Sequence, residues 1–123
     1  MAKYDKLSKD FHADEFACQG MSCCGGVAPM NPALIAGLQE LRDMVSQPII
    51  ISSGFRCFVH NTAIGSNNNS QHPRGKAADI FSHHIPPKEL ARAAEKIPAF
   101  ENGGIGVYDT FIHVDVRDGR ARW

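Results

Sequence analysis

Between Asn31 and Ser46 the apolar residues Leu34, Leu38, Leu41 and Val45 recur three or four positions apart, the spacing that gathers side chains on one face of a helix. Asn31 is placed to cap that helix, and Pro32 stands at its first position, where a missing N–H costs nothing. The pattern therefore predicts a helix over 32–46. A second helix is predicted over 87–96, opened by Pro86-Pro87 and presenting Leu90, Ala93, Ala94 and Ile97 on one face. Strand signals are shorter and cover 48–53 (PIIISS), 76–81 (KAADIF), 104–108 (GIGVY) and 111–117 (FIHVDVR). In the last of these Phe111, His113, Asp115 and Arg117 alternate with Ile112, Val114 and Val116, so an apolar face packs on the helices while a polar face with a His and an Asp looks elsewhere. Helices in one region and several short antiparallel strands describe an α+β domain.

The length of 123 residues suits one domain, 1–123, with one core. An apolar fraction of 43% and a charged fraction of 21% are ordinary for a globular chain, and no window approaches the roughly 18 apolar residues of a membrane span. The opening MAKYDKLSKDFHADEF lacks the apolar core of a secretory signal, which predicts a protein cytoplasmic as synthesised, or one that leaves by a route not written in the chain. Thirteen basic and thirteen acidic residues balance, and Arg117, Arg120 and Arg122 are the only basic cluster; nothing recommends nucleic acid as a partner.

Four cysteines, Cys18, Cys23, Cys24 and Cys57, admit three pairings if all are bridged. Adjacent cysteines rarely bridge each other, so a disulfide would join the 18–24 cluster to Cys57. Free thiols and a structural zinc are the alternatives, although the spacing is a poor match to paired C-x2-C knuckles.

The segment Ser70-Gln71-His72-Pro73-Arg74-Gly75-Lys76-Ala77-Ala78-Asp79 sets an imidazole in a loop and a carboxylate at the start of a strand. A turn at Pro73 to Gly75 would bring the two together, and His113 on the last strand would complete a His, Asp, His set. Such a set suits Zn²⁺ with a fourth position left for water, the arrangement that hydrolysis requires. Taken one at a time, His72 reads equally as a solvated loop residue and His113 as a satisfied core histidine. His83-His84 before Pro86-Pro87 read as a solvated loop, and His12 and His60 carry little information.

The pattern Ser70-x-His72-x-x-Gly75-x-Ala77-x-Asp79 resembles the S-x-H-x-x-G-x-A-x-D signature of the zinc D-Ala-D-Ala carboxypeptidases and endopeptidases, peptidase family M15. The resemblance extends to Ser53-Gly54-Phe55-Arg56 with His60-Asn61, to Gly104-Ile105-Gly106-Val107-Tyr108, and to Phe111-x-His113-x-Asp115. Phe16-x-Cys18 and Leu41-Arg42 also fit, so nearly the whole chain is covered. The resemblance implies a small α+β domain with a central antiparallel sheet, shared with lysostaphin-type peptidases and the hedgehog signalling domain. It also implies one Zn²⁺ per chain on His72, Asp79 and His113, and Arg56 as the residue that binds a substrate carboxylate or stabilises an oxyanion, with Ser70 beside the substrate. A guanidinium is apt for either task, being forked and always charged.

The general base departs from the family. Many members carry an acid three residues before the last zinc histidine, where this chain has Thr110, and the position after it, sometimes a second His, is Phe111. Two candidates follow: Asp115, on the same strand face as His113, and Asp109, which would need a bulge at Tyr108 to Thr110. Asp115 is preferred, with the alternative that it orients a metal-bound His. The implied activity is a zinc-dependent D,D- or L,D-type carboxypeptidase or endopeptidase. It would act as a monomer on peptidoglycan stem or cross-link peptides, as in a phage or prophage endolysin. The alternatives are a catalytically silent zinc-binding or wall-peptide-binding module of the same fold, or a virion structural protein.

Overall fold

A computed structural model of the chain describes residues 6–18, 30–56 and 71–123. Helix α1 runs Pro32–Val45, with the Asn31 side chain accepting from the Ala33 N–H and Ser46 closing it in the left-handed region at φ 55°. Strand β1 is Ile50–Ser53, β2 is Ala77–Phe81, helix α2 is Pro87–Ala94, β3 is Gly104–Val107 and β4 is Ile112–Asp115. Each lies within the span that the sequence pattern predicts, trimmed by one to three residues at its ends.

Four short elements carried no readable period: a 3-10 turn at Ala13–Phe16, another at His72–Arg74, helix α3 at Pro98–Glu101 and strand β5 at Ala121–Arg122. Two to four residues are too few for a helical or strand repeat to show itself. The sheet has the order β1-β2-β4-β3-β5. It is antiparallel except at its last edge, where β5 lies parallel to β3 through Gly104↔Ala121 and Ile105↔Arg122. The expected central antiparallel sheet is present, and the basic tail adds a parallel strand at its edge.

One face of the sheet makes the core. Ile80, Ile112 and Val114 are buried against Leu34, Leu38 and Leu41 of α1, Leu90 and Ala94 of α2, and Phe100 of α3. At about 25 cal/mol per Å² of apolar surface, each large side chain so buried contributes about 1.5 to 3 kcal/mol before the entropy of ordering it is subtracted. The opposite, polar face is covered as well: His113 and Asp115 are buried too. Across that face the register sets Asp79 beside His113 and His113 beside Gly106, with Ala77, Asp115 and Gly104 in the next row. Polar side chains buried this deeply must find partners, and those partners build the site.

Candidate metal centre

His72 enters from the 3-10 turn His72–Arg74, which Gly75 ends at φ 69°, a left-handed conformation that favours glycine. The Gly75 carbonyl accepts from the Asn31 N–H that precedes α1, so the turn is tied to the helix. Buried His72 donates from Nδ1 to the Gly54 carbonyl at 2.7 Å. That carbonyl is held in turn, because Phe55 N–H bonds to Phe16 O at 2.9 Å and Gly54 lies so close to Phe16 that a Cβ would fall 2.7 Å from its Cα. The Ser53-Gly54-Phe55-Arg56 segment thereby sets the orientation of the imidazole.

A carbonyl only accepts, so Nδ1 carries the proton of neutral His72 and Nε2 presents a lone pair. Nε2 lies 3.2 Å from Asp79 Oδ1, and His113 Nδ1 lies 3.1 Å from the same oxygen. The other nitrogen of His113, Nε2, faces Asp115 Oδ2 at 2.6 Å. Asp115 is fully buried, and although burial works against its charge, hydrogen bonds from His113 and Arg117 hold its carboxyl far below the ordinary value of 3.8. Ionised Asp115 accepts, His113 Nε2 donates, and Nδ1 is left as the acceptor.

Two imidazole lone pairs and one carboxylate oxygen thus converge, all within 4.8 Å of one another, with the proton of each neutral ring turned away from the cluster. Acceptors facing acceptors are repulsive unless a cation or a proton lies among them. The surrounding carboxylates favour a proton on His113. Burial disfavours a charged His113, but Asp115 and Asp79 outweigh it and raise its pKa above the usual 6.5. Asp79, despite its desolvation, is pushed well below the carboxylate range by His113 and His72. The donor set of two imidazoles and a carboxylate, each ring oriented through its second nitrogen, is the chemistry of a Zn²⁺ site.

Arg56 stands at the edge of this cluster with Nη2 3.9 Å from Asp79 Oδ2. Burial pulls its guanidinium below the ordinary value, Asp79 opposes the shift, and its buried Nε has no partner among the described residues. A largely buried cation with a donor to spare is suited to an anionic oxygen.

The two base candidates are placed differently. Asp109 is exposed in the four-residue connection between β3 and β4, where Tyr108 N–H bonds to Phe111 O at 3.0 Å. The β3–β4 ladder from Gly104↔Asp115 to Val107↔Ile112 is regular and has no bulge to carry Asp109 back to His113. Asp115 is close, but on the Nε2 side of His113, away from Asp79, and both its oxygens are engaged. Oδ1 accepts from Gly104 N–H at 2.8 Å and from Arg117 N–H and Nε, and Oδ2 accepts from His113 and from Arg117 Nη2 at 2.7 Å. Arg117, which the sequence reading treated only as part of a basic cluster, is therefore part of the centre; its i+2 relation to Asp115 was the available signal. Gly104 permits the approach, since a Cβ there would lie 2.4 Å from Asp115 Oδ2.

Ser70, His60-Asn61, Cys23, Cys24 and Cys57 lie outside the described residues, and with them the choice among free thiols, a disulfide to Cys57 and a cysteine metal site. Cys18 is buried. His83 and His84 are exposed, as a solvated loop predicts. Among the described residues no helix is long and apolar enough to cross a membrane.

The family model described as Peptidase M15 matches residues 9–115, a span that takes in Arg56, His72, Asp79, His113 and Asp115. No curated protein is significantly similar to the chain.

Proposed function

The chain belongs to the peptidase M15 family, and from that premise we propose that it is a zinc metallopeptidase hydrolysing peptide bonds in bacterial peptidoglycan stem or cross-link peptides. The observation that carries the proposal is the convergence of His72 Nε2, Asp79 Oδ1 and His113 Nδ1 with both ring protons turned outward. These three residues would hold one Zn²⁺ per chain. Bound there, the ion supplies a Lewis acid and lowers the pKa of water toward neutrality.

The remaining work belongs to the protein. Arg56 binds the anionic oxygen, a C-terminal carboxylate of the peptide or the oxyanion that develops as the scissile carbonyl is attacked, and its fork favours a bidentate grip. Asp115 holds the tautomer and orientation of His113, so it is a positioning residue in this reading, not the general base preferred on strand alternation. Cleavage of wall peptide after release from a host cell, as by an endolysin, is the setting we propose for such an activity.

A second reading, a zinc-bearing module that binds wall peptide without turnover, is favoured by one observation: neither Asp109 nor Asp115 is seated to take a proton at the donor cluster. One experiment separates the two. Purified zinc-loaded protein is incubated with peptidoglycan of several wall types, and the soluble muropeptides are read by mass spectrometry. New termini at a defined bond, absent with Arg56→Lys, support the peptidase. Zinc at one per chain with wall-peptide binding and no released product would establish the silent module instead.

A further inference from the structure

The residue that follows β5 is the chain's single tryptophan, Trp123. Trp123 is 47% exposed, an unusual amount of indole to leave in water, yet it is firmly placed. Val107 N–H bonds to its carbonyl at 2.9 Å and its own N–H bonds to Ile105 O at 3.2 Å, which brackets Gly106. A Cβ on Gly106 would fall 2.4 Å from the indole Nε1, so this glycine is what lets the ring come so close to β3. The indole N–H donates to Tyr108 Oη at 2.7 Å.

On the sheet face the indole lies 5.0 Å from the His113 ring, and the Arg117 guanidinium lies 5.0 Å from the indole centroid. Arg117 also grips Asp115, and Asp115 holds His113 Nε2. The contacts close a circuit: His113 to Asp115, Asp115 to Arg117, Arg117 to Trp123, and Trp123 back to His113. Tilting the imidazole would lengthen the 2.6 Å bond to Asp115 or drive the ring into the indole. Removing the indole takes away both the wall beside His113 and the cation–π contact that steadies Arg117.

We propose that Trp123 is a positioning residue of the metal centre, fixing His113 in its metal-binding orientation from the side opposite the cluster's own ligands and through the Arg117–Asp115 pair. It rests on the reading that His72, Asp79 and His113 hold a metal ion.

The test uses the full chain with Zn²⁺ and Co²⁺ as probes. In the parent, Co²⁺ should quench emission from the sole tryptophan saturably, with the dissociation constant found by calorimetry. Trp123→Leu should weaken Zn²⁺ binding about tenfold and shift the visible Co²⁺ spectrum, as loss of a group that orients a ligand does. Trp123→Phe, which keeps a ring over His113 and under Arg117, should recover affinity to within about twofold. Arg122 points from β5 to Glu95 and the Glu101 and Gly103 carbonyls; Arg122→Gln should lower thermal stability and leave both metal readouts unchanged.

The proposal is overturned if Trp123→Leu binds Zn²⁺ as the parent does with an unaltered Co²⁺ spectrum, or if Arg122→Gln weakens binding as much, since docking of β5 would then be the cause. Should Trp123→Leu not fold, the parent decides, because saturable Co²⁺ binding with no change in emission denies the contact. Failure of the underlying reading looks different: the parent binds no Zn²⁺, or His72→Ala binds it unchanged.

Discussion

Two carboxylate–arginine clusters fasten the β3 side of the sheet, and they are chemically alike. Asp115 with Arg117 lies on the face that carries His113, while Glu95 with Arg122 and Arg120 ties the end of α2 to β5 on the rim. In both, the arginine lowers the pKa of the acid. They differ in surroundings. The Asp115 side chain has no exposed surface, whereas that of Glu95 is 39% exposed. Around Asp115 no water can replace a lost partner, so every oxygen lone pair is directed at a donor and a third group, His113, inherits a fixed orientation. Around Glu95 water competes for each bond, and the pair is an attachment whose worth is small. The same two chemical groups, a carboxylate and a guanidinium, therefore fix a neighbouring imidazole in one place and make a fastening in the other, and desolvation is the difference.

The comparison breaks most visibly at the residues that the buried cluster serves. His72→Ala or His113→Ala should reduce bound zinc from about one per chain to near none after dialysis, since two protein ligands do not retain the ion. Metal analysis of the purified variants decides, and unchanged zinc in either would sink the assignment.

Asp115→Asn comes next. The amide can still accept from His113 Nε2, but it loses the ion pair with Arg117, so zinc affinity should fall about 10- to 100-fold while the fold survives. Asp115→Ala, which strands both His113 and Arg117, should cost about 3 kcal/mol in denaturant unfolding of the metal-free protein. If Asp115→Asn held zinc with the parent's affinity and lost only turnover, Asp115 would be the general base after all.

Acid should expose the buried cluster as well. Asp79 and Asp115 have folded pKa values depressed below 3.8, so their contribution is present above that value and is lost as pH falls below it toward the folded values. His113 has the opposite sign: its pKa is raised, so its contribution to the metal-free protein is complete below 6.5 and lost as pH rises through the folded value. Chemical denaturation of metal-free protein should show stability falling as pH rises above 6.5 and, at the other end, as pH falls below 3.8. In Asp115→Asn both slopes should shrink, the acid one by up to about 1.4 kcal/mol per pH unit.

The smallest effect belongs to the rim. Glu95→Gln should change unfolding free energy by less than about 1 kcal/mol and leave zinc affinity untouched. A loss as large as that of Asp115→Ala would erase the distinction between the two clusters.

Much of this was legible along the chain because the signals are local. The spacing of Leu34, Leu38 and Leu41, the cap at Asn31, the alternation around His113 and the pattern from Ser70 to Asp79 each lie within about one element, where period and turn chemistry act. Those local signals sufficed for an α+β fold and for two helices and four strands, and the family resemblance singled out His72, Asp79 and His113, which the fold brings together. They did not extend to the partner of each side chain. Alternation put Asp115 on the same face as His113, which is true, but a face does not say toward which ring nitrogen a carboxylate points. Only the ladder, with Asp79 and Gly106 flanking His113, turned Nδ1 toward the cluster and Nε2 toward Asp115. Gly104 meets Asp115 only through the β3–β4 register, and the contact of Gly106 with Trp123 depended on a two-residue parallel strand with no period of its own. Pairing across a sheet is decided by packing between residues distant in sequence, and no window along the chain contains it.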